Sequence, residues 1–177
     1  TRRRFHDAYE NYNAQLEVGV EKKRWADVFL LGATYNHTDK DIQTGTIQSI
    51  VFGKAERKEN AMGLQAKYRK NNFLTENLSL NLYASHTWDH SITVDTAFQR
   101  YNWNGTYKEQ SRNELTGRER MYRHYKRPMA TVRGNLNYAV SQHHALNFNY
   151  LLTRPGNRRY DTVDEYYPYL KDTFDPT

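Results

Sequence analysis

Two histidines four residues apart are the first feature of this sequence that suggests chemistry. His86 and His90 flank Asp89 in the segment His-Thr-Trp-Asp-His, and this spacing chelates a metal ion when the segment is helical. The residues before His86 alternate apolar and polar, as in a strand, where the two histidines would lie about 13 Å apart. We therefore predict no metal site here, and we assign His86 to the apolar side of its strand, beside Trp88.

Acidic residues in two polar segments are candidates for a calcium site, because calcium prefers carboxylate oxygens. The candidates are Asp39 with Asp41, and Asp161 with Asp164 and Glu165. Neither group has the spacing or the glycine of an EF-hand, so we predict solvated loops. The pair His143–His144 lies in a tight turn without a nearby carboxylate and is also predicted to be solvated. We predict no metal ion and no cofactor.

A basic stretch is the candidate for binding an anion or a nucleic acid. Its residues are Arg118, Arg120, Arg123, Lys126 and Arg127, interleaved with Tyr122, His124 and Tyr125. Mixed basic and aromatic side chains are typical of single-strand binding, and the stretch could instead attract anionic ligands or lipopolysaccharide phosphates. The chain's 26 basic residues are interspersed with 20 acidic ones, giving a net charge of +6. We therefore predict a solvated loop and no nucleic-acid partner.

No arrangement of residues predicts catalysis. The chain has no cysteine, and it contains no nucleophile–base pair, paired-carboxylate motif, P-loop or dinucleotide fingerprint. We therefore predict that it is not an enzyme. The remaining candidates are aromatic residues of polar loops, which can bind a ligand by stacking and hydrogen bonding. They are Tyr101, Trp103, Tyr107, Tyr166, Tyr167 and Tyr169.

Six segments that alternate apolar and polar residues must position these loops. They predict strands at about 12–21, 27–37, 60–69, 77–88, 128–140 and 144–153, because side chains alternate between the two faces of a strand. Short turns at Lys22, Asn71 and Gln142 join them into three hairpins. Long charged loops follow Tyr35, Trp88 and Thr153, with an extended piece at 48–52 and a short helix around 114–124. The predicted fold is an all-β antiparallel meander of about six strands.

The two faces of these strands favour a transmembrane β-barrel. Only 37% of the residues are hydrophobic, and no segment has the roughly 20 consecutive apolar residues of a membrane helix. Strands of about 9–11 residues, joined alternately by short turns and long loops, are typical of outer-membrane barrels. The face with Glu17, Lys67 and Arg133 would line the lumen. Aromatic residues near the strand ends predict two girdles, formed by Tyr68, Phe73 and Tyr138 and by Tyr35, Trp88 and Tyr150.

Segments 10–21, 30–39 and 75–87 carry a family resemblance. They begin Glu-Asn-Tyr-Asn-Ala-Gln-Leu, Leu-Leu-Gly-Ala-Thr-Tyr and Thr-Glu-Asn-Leu-Ser-Leu, and they resemble barrel hairpins of TonB-dependent receptors of Bacteroides-type bacteria. The resemblance implies a location in the bacterial outer membrane, contact with its lipid, and energy-coupled uptake of a nutrient such as a siderophore, vitamin, peptide or glycan. The loop aromatics would capture the nutrient, and Arg133 would line its route inward.

The resemblance covers the barrel strands and not the other parts of such receptors. The sequence shows no plug domain, TonB box, signal peptide or closing strand, and about six strands are fewer than the eight of the smallest bacterial barrels. We expect residues 1–177 to be a partial barrel domain of a longer polypeptide, which would contact the TonB complex through its other parts.

Two alternatives from other classes remain open. A soluble extracellular β-protein would also show period-two strands, and it would bind glycans or a protein partner through the same aromatic loops. A sheet that binds nucleic acid through the basic stretch is the other alternative, and it would show strongly salt-dependent affinity.

Overall fold

The computed structural model describes residues 4–163 and 170–171. Every regular element of this part of the chain is a strand, so the predicted all-β class is confirmed. The strands are β1 (Tyr9–Glu21), β2 (Val28–Asp41), β3 (Glu56–Lys70), β4 (Leu78–Asp95), β5 (Gln99–Tyr101), β6 (Tyr107–Glu109), β7 (Met121–Ala139), β8 (Ala145–Pro155), β9 (Arg158–Asp161) and β10 (Leu170–Lys171). No helix in the described residues is long and apolar enough to span a membrane.

The six long strands form one antiparallel meander in the order β1-β2-β3-β4-β7-β8. The three predicted hairpins are β1–β2, β3–β4 and β7–β8. Strand β9 continues along β7 where β8 ends, and β10 pairs with β9. Strands β5 and β6 form a separate small hairpin. Within the described residues the sheet stays open, because β1 pairs with β2 alone.

The strands extend further toward the long loops than the sequence predicts. Strand β4 continues to Asp95 instead of residue 88, and β7 begins at Met121 instead of residue 128. The added residues include many charged and histidine side chains, so they lack the apolar alternation, although their backbone pairing continues without a break. The helix predicted at 114–124 is wrong, because this segment contains a turn and then the start of β7. In the predicted extended piece at 48–52, Val51 alone forms β-bridges.

One face of the sheet carries a continuous group of apolar side chains, which we call the apolar band. A typical row across the six long strands contains Val18, Leu31, Ala66, Ala84, Val132 and Leu152. These side chains are not covered by any other part of the described chain. Leu16, Leu64 and Phe148 are 67%, 55% and 62% exposed. The band is therefore unlike the core of a folded domain.

The opposite face, which we call the polar face, is built from hydrogen-bonded polar side chains. Lys67 Nζ and Gln65 Nε2 both donate to Glu17 Oε1, at 2.6 and 2.5 Å. Further along the sheet, Asn135 Nδ2 donates to the side-chain oxygens of Asn147 and Asn149. Burying polar and charged groups of this kind costs free energy, so they are most stable in contact with water.

Most of the buried side chains lie in or beneath the two long loops and not between sheets. Residues 42–55 and 96–120, which we call the loop cap, fold onto one end of the polar face. The residues buried there are Gln43, Val51, Phe52, Ala55, Ser91, Asp95, Asn113 and Met121. Ser91, Asp95 and Met121 belong to the polar face, since they alternate with the residues of the other face. The cap therefore covers that face at the end away from the short turns.

Candidate ligand groove in the loop cap

Gln43 connects the first loop of the cap to the segment before β1. Its Oε1 accepts hydrogen bonds from the backbone N–H groups of Phe5 and His6, at 2.9 and 2.8 Å. Its Nε2 donates to the carbonyl of Phe52 at 3.1 Å. A buried amide with partners on both ends fixes the backbone around it. Gln43 therefore holds Phe5 beside the cap.

Two carboxylates, of the buried Asp95 and the partly buried Glu114, connect the second loop to the first loop and to β4. Glu114 accepts from the backbone N–H groups of Gly53 and Lys54, both at 2.9 Å. Asp95, which is 0% exposed, accepts from the N–H of Leu115 at 2.6 Å. Burial raises the pKa of both carboxyl groups, although these N–H groups favour the charged forms and lower it.

The β5–β6 hairpin presents an aromatic and amide-rich tip. Its turn runs from Asn102 through Trp103 and Asn104 to Gly105, whose φ of 82° suits glycine. Thr106 donates its backbone N–H and its hydroxyl to Asn104 Oδ1, at 3.1 and 2.7 Å. These bonds fix the tip, so Trp103 belongs to a defined turn.

Tyr101 joins the hairpin to the rest of the cap. Its ring lies 5.9 Å from that of Phe5 and 5.3 Å from that of Tyr107, measured between centroids. A Cβ atom on Gly53 would come within 2.6 Å of the Tyr101 ring, so glycine is the residue that allows this close approach. Burial, together with the nearby Glu114, raises the pKa of the Tyr101 hydroxyl.

These elements enclose an open groove of about 740 Å³. Its lining residues are Phe5, Ser49, Val51, Tyr101, Asn102, Trp103 and Asn104. The lining combines aromatic rings with neutral amide and hydroxyl groups, and none of these residues is charged. Such a surface can stack against an apolar face of a ligand while its amides bind hydroxyl or carbonyl groups.

The structure brings some of the sequence candidates together and separates others. Tyr101 and Trp103 line the groove, and Tyr107 contacts Tyr101. Arg133 is exposed on the polar face, on the part of β7 that pairs with β8 and away from the cap. Three further candidates lie outside the described residues: Tyr166, Tyr167 and Tyr169.

The sequence prediction missed Phe5, Ser49, Val51, Asn102 and Asn104 as lining residues. A local signal was present for the hairpin, because Asn104-Gly105 is a typical turn dipeptide between two short strands. Phe5 reaches the groove through its long-range contact with Gln43, and no local pattern predicts such a contact.

The residues that the sequence analysis weighed as metal ligands are dispersed in the described chain. His86 packs edge-on against Trp88, with ring centroids 4.3 Å apart, as the strand assignment predicts. His90 instead approaches His124 on β7. The other candidates have different neighbours: Asp39 lies near His37, Asp41 near His6, and Asp161 near Arg123. Among the described residues no group of three or more potential ligands could hold a metal ion.

The basic stretch does not form one patch. Arg120 lies over the ring of Phe98 in the cap, 5.4 Å from its centroid. Arg123 and Arg127 point to the polar face, near Asp161 and Asp89 at 3.8 and 2.9 Å. Lys126 belongs to the opposite face.

Comparisons of the chain with protein-family models, with curated proteins and with solved structures found no match.

Proposed function

We propose that this chain forms part of the wall of an outer-membrane β-barrel receptor that takes up a nutrient, with the groove in the loop cap as its outer ligand site. The observation that carries the proposal is the uncovered apolar band. Exposed apolar patches of this extent are rare on soluble monomers and need a partner or a lipid phase. The polar face would line a water-filled lumen.

The length of the band fits a membrane. On β4 it extends from Leu78 to Trp88, which is ten residue steps, or about 34 Å along the strand. At a strand tilt of about 40° this corresponds to about 26 Å across the membrane, close to the ~25 Å apolar belt of outer-membrane barrels.

The band also crosses the sheet obliquely. On β1, β2 and β3 it ends in the row of Ala14, Tyr35 and Met62, but on β8 it ends at Leu152, four residues lower. Its lower limit shifts in the same direction, from the row of Tyr68 to that of Leu146. The band on β8 therefore lies nearer the short turns than the band on β1. Strands in membrane barrels are tilted by about 35–45°, and an offset of this direction across the sheet supports the proposal.

The loop cap supports the ligand part of the proposal. It lies on the polar face, at the end where the long loops emerge, as a site at the outer mouth of a lumen would. The groove's neutral, aromatic and amide lining favours an uncharged part of a ligand, such as a sugar ring or an aromatic group. Loop aromatics would capture it, and polar-face residues such as Arg133 would line the way inward.

A soluble extracellular β-protein that binds glycans or a protein through the same groove is the second candidate, and the aromatic lining favours it equally. The two differ in what covers the apolar band. We expect the chain to aggregate in plain buffer and to become monodisperse in dodecylmaltoside, because detergent covers the band. A monodisperse monomer without detergent, with protected amides in all six long strands, would favour the soluble protein instead.

A further inference from the structure

The tip of the β5–β6 hairpin contains the only Asn-Gly dipeptide of the chain, Asn104-Gly105. Asparagine is a chemically labile residue, because its side-chain carbonyl carbon can be attacked by the backbone nitrogen of the next residue. A glycine in that position has no side chain to obstruct the approach. Asn104 is exposed, so water and base reach the amide. The dipeptide is therefore a candidate site of deamidation.

Two hydrogen bonds activate the side-chain carbonyl of Asn104. Thr106 donates its backbone N–H and its hydroxyl to Asn104 Oδ1, at 3.1 and 2.7 Å. The first bond forms an Asx turn, which folds the side chain back over the Gly105 peptide. Both donors stabilise the negative charge that develops on the oxygen during attack, as the donors of an oxyanion hole do. The tip therefore polarises the carbonyl that must react.

A third hydrogen bond limits the rate of the reaction. The Gly105 N–H donates to the carbonyl of Asn102 at 3.0 Å, and this bond must open before base can remove the proton. The hairpin is short, with three residues in each strand, and local opening concentrates at loop tips of this kind. The reaction is therefore slow, and opening of the turn controls it.

We propose that Asn104 is a site of deamidation and that the reaction converts the neutral groove into an anionic one, a consequence that rests on the proposed ligand site. Gly105 N gives up its proton to base and attacks Cγ of Asn104. A new C–N bond forms, the bond from Cγ to Nδ2 breaks, and Nδ2 leaves as ammonia with a proton from the solvent. Water then opens the cyclic imide and leaves aspartate or isoaspartate at this position.

The new carboxylate changes the charge of the groove. Asn104 belongs to the lining, and none of the lining residues is charged in the native chain. A negative charge at the tip repels anionic groups and attracts cationic ones. The modified groove should therefore favour ligands with an ammonium or guanidinium group over neutral ones.

The reaction is tested on the full chain in dodecylmaltoside, incubated at mildly alkaline pH and followed by peptide mass spectrometry. We expect Asn104 to convert before Asn157, which is also exposed but precedes Arg158. Thr106→Val has the shape of threonine without its hydroxyl and should slow the conversion roughly tenfold, whereas Thr106→Ser keeps a hydroxyl and should convert at nearly the native rate. An Asn104 that stays intact, or equal rates in Thr106→Val and the native chain, would overturn the inference.

The change of charge is measured at the groove itself, with iodide as the probe. Trp103, which lines the groove beside Asn104, is made the single tryptophan by Trp25→Phe and Trp88→Phe. A carboxylate beside the indole repels iodide, so quenching of Trp103 should fall roughly twofold after conversion, as it should in Asn104→Asp and not in Asn157→Asp. Unchanged quenching after full conversion would overturn the consequence for the groove. Neither measurement depends on the membrane location, so a failure here leaves the proposed function intact, and aggregation or monodispersity without detergent leaves the deamidation intact.

Discussion

The loop cap and the apolar band place their apolar side chains in opposite surroundings. In the cap, Val51 and Phe52 are 4% and 6% exposed, whereas in the band Leu16 and Leu146 are both 67% exposed. Burying one such side chain stabilises a protein by about 1.5–3 kcal/mol. The cap obtains this stabilisation from its own chain. In the proposed membrane location the band would obtain it from lipid. The cap would then fold with its own chain alone, whereas the sheet would depend on its surroundings.

The largest effect is expected for Phe52→Ala in the cap. Removing a buried aromatic ring lowers the free energy of unfolding by about 3–5 kcal/mol. The loss should be confined to the cap, because Phe52 packs there. Hydrogen exchange should show faster exchange at residues 42–55 and little change in β4. The control is Leu74→Ala, since Leu74 is 85% exposed in a turn. Equal loss of protection in β4 would mean that cap and sheet do not fold as separate units.

A charge in the middle of the band should have the next largest effect, and only when lipid or detergent surrounds it. Ala84→Arg should destabilise the chain by about 2–4 kcal/mol in bilayers, the cost of arginine at mid-membrane on a barrel's lipid face. The neighbouring Ser85→Arg faces the polar side and should cost little. Urea unfolding in lipid measures both variants. Similar destabilisation by Ala84→Arg and Ser85→Arg would contradict the assignment of one face to lipid and the other to water.

The rings of His90 and His124 stack on each other, and we call this pair the histidine stack. A change in pH should affect the stability of the cap and of the histidine stack in opposite directions. The pKa of Asp95 and Glu114 is raised by burial, so the folded cap binds protons more tightly, and its stability falls as pH rises from about 4 through the raised pKa values. The pKa of His90 and His124 is lowered, so the stack loses stability as pH falls below about 6.5.

Hydrogen exchange at the amides of Leu115 and His124, corrected for intrinsic rates, measures the two pH responses separately. Asp95→Asn keeps an oxygen for the Leu115 N–H and should weaken the response of the cap. His90→Gln should weaken that of the stack. Responses of the same sign in both places would contradict the assignment of these groups.

The smallest effect is expected on the polar face. Glu17 accepts from Lys67 at 2.6 Å, but both side chains are partly exposed. Ion pairs in contact with water contribute about 0.2–1 kcal/mol, so Glu17→Gln should shift the free energy of unfolding by less than Ala84→Arg does. Raising the salt concentration should shrink the effect. A larger decrease in the free energy of unfolding that does not depend on salt would mean that water does not reach this face.

The sequence predicts the sheet well because its signal is local. Alternation in segments such as 78–84 reports which face carries the apolar band, and it identifies all six long strands. The strand ends were missed because charged residues such as Asp39 and Arg123 interrupt the apolar alternation there, although the backbone pairing continues through them. The groove was predicted in part. Tyr101 and Trp103 stood out by residue type, but Phe5 joins them through Gln43, 38 residues away from it in sequence.

We propose that the apolar band faces lipid while the polar face meets water. The chain has no cysteine, so single cysteines can be introduced along β4 and spin-labelled in bilayers. We predict that oxygen relaxes the labels best at even positions from 80 to 88, that a water-soluble nickel complex does so at odd positions, and that this alternation is lost beyond residue 89. Equal access of the nickel complex to even and odd positions would contradict the claim.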